Sequence, residues 1–145
     1  MPQRDYILRL IEEMGAVLAN LRNRILGRDV QPAEAQRELA ALAGRAGFDL
    51  GLLRGFSGET LRMLVAPTGE VEPARCWMMA ELLYVDALEA ELEGRSAEAR
   101  VGLEKARLLY TLIAPAGGLL VGLAEAGARM REIDGRLSAT GGDGG

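Results

Sequence analysis

The spacing of the apolar residues constrains this chain most. Apolar side chains recur every three or four positions from Ile7 to Leu137, and no stretch alternates apolar and polar residues as a strand does. That pattern predicts an all-α protein built from antiparallel helical hairpins, with five to six helices. The length, 145 residues, fits one domain. An apolar share of 49% with a net charge of only −4 argues against general disorder.

The expected organisation is a single helical domain over residues 1–137, with an N-terminal half at 5–66, a C-terminal half at 74–137 and a flexible tail at 138–145. In the first helix, 5–26, Ile7, Leu10, Ile11, Met14, Val17, Leu18, Leu21 and Ile25 form one broad apolar stripe. Asp5 suits its first turn, where free amides favour an anion, and Gly27 suits its stop. Pro32 opens a second helix that ends by Gly47. Asp49 is expected to cap a short turn holding Leu50, Leu52 and Leu53, and Ser57 to cap a helix over 58–66. The Pro67–Pro73 stretch reads as a loop and as the boundary between the halves. Three longer helices follow, at 74–93, 96–113 and 119–137. The last presents Leu119, Leu123, Ala126, Met130, Ile133 and Leu137 as a narrow seam.

The composition excludes several chemistries. There is no histidine, hence no imidazole base, no Ser-His or Cys-His pair and no histidine metal ligand. One cysteine, Cys76, makes neither an internal disulfide nor a thiolate zinc cage. The pI of about 5.0 argues against a general nucleic-acid binder. Sixteen arginines stand against the single Lys105, a bias that looks like GC-rich coding. Charges interrupt the N-terminal apolar run, so no signal peptide is expected. Residues 108–124 carry no charge, but these 17 residues hold Pro115, Gly117 and Gly118. A helical hairpin turn is favoured there over a membrane span, which needs about 20 residues.

The remaining motifs favour structure over chemistry. Gly51, Gly55 and Gly58 do not fit the dinucleotide fingerprint, and no strand precedes them. Glu81, Glu89, Glu91 and Glu93 read as a solvated acidic face, because helical di-iron sites need Glu-x-x-His pairs. Cys76 reads as a small packed hydrophobe and Tyr84 and Tyr110 as core edges. Asp5, Tyr6 and Arg9 form the one candidate polar site, although a helix cap with a surface ion pair is the favoured reading of them. No cofactor, metal or catalytic residue is expected. Charge is uneven, at +2 over residues 1–28 and −6 over residues 70–98.

Gly94, Ala99, Leu103 and Ala106 carry a recognisable spacing, with Ala87 on the preceding helix. It resembles a tetratricopeptide repeat, in which glycine makes the turn and small residues let two antiparallel helices approach. Leu83 and Thr111 depart from the repeat pattern, and one unit is too few for an array. The opening Asp5-Tyr6-Ile7-x-Arg9-x-Ile11-Glu12 and the Gly47-Phe48-Asp49-Leu50-x-Leu52-Leu53 segment resemble an uncharacterised bacterial family, a domain of unknown function. That resemblance implies a helical, cytoplasmic bacterial protein and no activity.

The excess of apolar stripe in so short a chain points to a non-catalytic interaction or scaffold protein, expected as a homodimer. Ile7, Leu10, Met14, Val17 and Leu21 are the candidate interface, with intramolecular core as the other reading of the same stripe. The alternative function is a small-molecule binder or sensor with an apolar pocket between helices and Arg9 or Trp77 at its rim. Neither a nucleic-acid partner nor a membrane span is expected.

Overall fold

A computed structural model describes the backbone of residues 2–113 and 126–143, and the side chains of residues 9–113 and 126–139. The described residues form seven helices and no strand: α1 (Pro2–Leu26), α2 (Pro32–Arg45), α3 (Leu50–Gly55), α4 (Gly58–Val65), α5 (Pro73–Leu92), α6 (Ser96–Ile113) and α7 (Ala126–Asp143). The all-α architecture is as expected, with a short helix more than the pattern suggested. The turn at Pro115–Gly118 and the seam positions Leu119 and Leu123 lie outside the described residues. Among the described residues no helix is long and apolar enough to cross a membrane.

Local signals explain most boundaries. The Asp49 carboxylate accepts from the Leu52 amide at 3.0 Å, and the Ser57 hydroxyl accepts from the Thr60 amide at 3.1 Å. Each satisfies one free donor at the start of its helix. The end of α5 is a left-handed cap in which Gly94, at φ +81°, lets the Arg95 amide donate to the Ala90 carbonyl at 2.8 Å. The end of α1 uses the same device one residue later than expected. Arg28, not Gly27, is left-handed, at φ 56°, and the Asp29 amide donates to the Arg24 carbonyl at 2.8 Å. A Cβ on Gly27 would stand 2.8 Å from Oδ2 of the exposed Asp29, whose side chain would have to swing aside.

Helix α5 is the centre of the molecule. Of its 20 residues, 14 are buried, because Met78, Met79, Leu82 and Val85 add apolar cover beyond the Trp77–Leu88 stripe. A helix apolar nearly all round is stable only when surrounded. Here α1 and α2 pack on it from one side and α6 from the other, while the short α3 and α4 also touch it. The α1 stripe is spent inside the molecule: Met14, Leu18 and Leu21 are fully buried and Ile11 and Ile25 nearly so. This corrects the reading of Met14 and Leu21 as interface residues, since side chains sealed by α5 have no surface to offer a second copy.

Helices α5 and α6 pair closely. Ala99, Leu103 and Ala106 are fully buried, and a Cβ on Gly102 would lie 3.1 Å from that of Ala87. Helix α7 packs on α6. Its seam buries Ala126 and Ile133 and half-buries Met130 and Leu137. The expected tail is shorter than supposed, because α7 runs on through Asp143. Neither Ser138, Ala139 nor Thr140 breaks a helix, so the turn docked at Ile133 propagates through them.

Candidate functional site

The acidic residues expected on a solvated face divide: Glu93 is exposed and Glu91 half-buried, but Glu81 and Glu89 are in the core. Glu81 is 2% exposed and Glu89 is fully buried. An ionised carboxylate tolerates burial only with close partners, and arginines from three other helices or turns supply them. Arg54, on α3, holds Asp86 through bonds of 2.9 and 2.7 Å. Arg95, in the α5–α6 turn, reaches Glu89 at 2.6 Å. From α7, Arg129 holds Glu81 at 2.7 Å and Arg136 reaches Glu91 at 2.5 Å. Sequence reasoning gave the arginines little individual weight. Their roles depend on which helix lies beside α5, and that has no local signal.

Two polar clusters result. The first is sealed. Glu81 accepts from Arg129 and from the buried Tyr110 hydroxyl. Arg129 also binds Glu132 at 2.9 Å and lies 5.7 Å from the centre of the Tyr84 ring. Burial and the neighbouring Glu81 carboxylate push the Tyr110 phenol well above its ordinary range. Burial works against the Arg129 charge, but the bonds to Glu81 and Glu132 more than compensate and hold its pKa above the ordinary value. Tyr84 and Tyr110 are thus core residues, 1% and 0% exposed, and they offer a ligand no surface.

The second cluster borders open space. A cleft of about 530 Å³ lies between α3 and the α5–α6 hairpin. Leu83, Asp86 and Ala90 of α5 form its floor. Gly51, Arg54 and Gly55 line the α3 side, and Ala97, Val101, Gly102 and Lys105 the α6 side. Most of the residues on these two sides are small. Lys105 crosses between the walls and donates to the Arg54 carbonyl at 2.7 Å. At the other end Arg95 contacts Glu89, Glu93 and Glu98. Beside the floor, Gln36 donates to Glu89 at 2.6 Å. Burial raises the Glu89 carboxyl above its ordinary pKa; the Gln36 bond and Arg95 oppose this, and the nearby Glu93 adds to it. The cleft therefore has an apolar bed, fixed charges at its edges and no nucleophile paired with a base.

The candidate polar site named from sequence lies mostly outside the described side chains. The side chains of Asp5, Tyr6 and Ile7 lie outside the described residues, and Arg9 is exposed. Leu10 is half-buried against the core, and Val17, at 38% exposure, is the one clearly exposed member of the described part of the stripe. Trp77 is buried rather than at a pocket rim. Cys76 is sealed, its thiol donating to the Leu109 carbonyl at 3.2 Å, and burial pushes its pKa up to about 12. A thiol so placed is not a nucleophile near neutral pH. Among the described residues no group of three acidic or sulfur ligands is placed to hold a metal ion. The chain matches no family model, no curated protein and no solved structure.

Proposed function

We propose that this chain is a non-catalytic binding domain that takes a small ligand in the cleft between α3 and the α5–α6 hairpin. The observation that carries this reading is the cleft itself. Its volume of about 530 Å³ falls within the roughly 300–1,000 Å³ of small-molecule sites, and its lining, apolar with a few fixed polar groups, is of the same kind. The burial of Met14 and Leu21 weighs against the α1 stripe as an interface.

The test fills the cleft without touching the core. Val101 lines the cleft and is 49% exposed, so Val101→Trp blocks the space and leaves the fold intact. A metabolite panel read by thermal shift should give at least one stabilising compound with the parent protein and lose that shift in Val101→Trp. A panel without any such compound, or a shift unchanged by the substitution, overturns the reading.

A second reading is protein interaction through self-association. Leu52 on α3 and Met63 on α4 favour it, at 60% and 69% exposure. Light scattering at micromolar concentration should then give a dimer mass that falls to monomer in Leu52→Glu/Met63→Glu. A monomeric parent ends this reading. The opening motif and the hairpin spacing support placing the protein in the bacterial cytoplasm, within the uncharacterised family it resembles, with a tetratricopeptide-like hairpin at 77–110.

A further inference from the structure

We infer, resting on the cleft as the binding site, that its ligand is a small anionic amphiphile. One carboxylate or similar anion sits on Lys105, and a short apolar body lies on Ala97 and Val101. Every other ionic group at the cleft has an opposite charge beside it. Two bonds commit Arg54 to Asp86, and Arg95 contacts three carboxylates, including Glu98. An entering cation would find Asp86 and Glu98 already paired, and an entering anion would gain little from Arg54 or Arg95.

Lys105 differs. Its ammonium donates to the Arg54 carbonyl, and no carboxylate among the described residues lies within ion-pair distance of it. A carbonyl satisfies one of its three N–H donors and leaves the full positive charge uncompensated. Counting the lining groups, the cleft carries Arg54, Arg95 and Lys105 against Asp86 and Glu98. Arg95 also touches Glu89 and Glu93, so the unmatched positive charge is local to Lys105. An anion placed on Lys105 gains a charge-assisted hydrogen bond next to apolar surface, where water competes poorly. Leu83 and Ala90 are almost completely buried, so the exposed Ala97 and Val101 offer the apolar contact, on one side only. That geometry suits a short chain or single ring more than a long lipid tail.

Three eight-carbon probes separate the possibilities: octanoate, octanol and octyltrimethylammonium, titrated into the full chain and followed by calorimetry. Octanoate should bind about tenfold more tightly than octyltrimethylammonium, one charge-assisted contact being the difference. Lys105→Gln should weaken octanoate by about tenfold while changing octanol by less than about twofold, and Lys105→Arg should restore most of the loss. Val101→Trp should abolish binding of all three. Equal affinity for the cation and the anion, or no effect of Lys105→Gln on octanoate, overturns the anion assignment and leaves the cleft reading standing. Octanoate binding that survives Val101→Trp overturns both. Failure of all three probes, beside a metabolite hit that Val101→Trp removes, overturns the amphiphile class alone.

Discussion

Single residues decide how the acidic helix is made tolerable. Glu81 sits in the core because Arg129 and Tyr110 reach it together. Arg129→Met leaves that carboxylate buried without its guanidinium, and a broken buried pair costs about 3–5 kcal/mol. A lower midpoint in urea unfolding measures it. Glu81→Gln/Arg129→Met should recover most of the loss, because Gln is neutral and still accepts from Tyr110. A double variant no more stable than Arg129→Met shows that the pair is not the cause. Glu89 gives a pH dependence of definite sign. Its folded pKa is raised above the ordinary 4.5 by burial. Its contribution to stability is therefore complete below that value and is lost as pH rises through the folded pKa. Glu89→Gln does not titrate, so its stability relative to the parent should increase from pH about 4.5 to pH about 7.5. A difference that stays constant across urea titrations at the two pH values refutes the raised pKa.

At the scale of elements, caps and close approaches fix where helices stop and how they meet. Asp49, Ser57 and Pro32 stand where their helices begin, and each was legible because capping chemistry is local; Pro73, read as the end of a loop, is the first residue of α5. The end of α1 was legible only to within one residue. Glycine was expected to take the left-handed position, yet Arg28 takes it while Gly27 clears the Asp29 carboxylate. A non-glycine residue there costs about 1–2 kcal/mol. Arg28→Gly should therefore raise stability by about 1 kcal/mol after the loss of chain entropy is counted. A thermal melt reads it as a midpoint higher by about 3 °C. An unchanged or lower midpoint means that the Arg28 side chain contributes more than its backbone strain costs. Helix α7 shows the opposite balance. Beside its apolar seam it is tied down by ion pairs of Arg22, Arg107, Arg129 and Arg136.

For the molecule as a whole, periodicity alone determined that the chain is helical, roughly where each helix lies and which face of α1 is apolar. Those properties follow from backbone hydrogen bonding and capping, which act over a few residues. The sequence left open whether the α1 stripe is interface or core. Only the tertiary arrangement decided that, by setting α5 between α1, α2 and α6 so that Met14 and Leu21 face a neighbour within the same chain. It also decided that the acids of α5 are countered by arginines 6 to 48 residues away. The cleft has the same origin. Gly51 and Gly55 lie far along the chain from Val101 and Lys105, and nothing in either stretch signals the other. Local chemistry sets the helices; which charges and small residues meet depends on packing between segments distant in sequence.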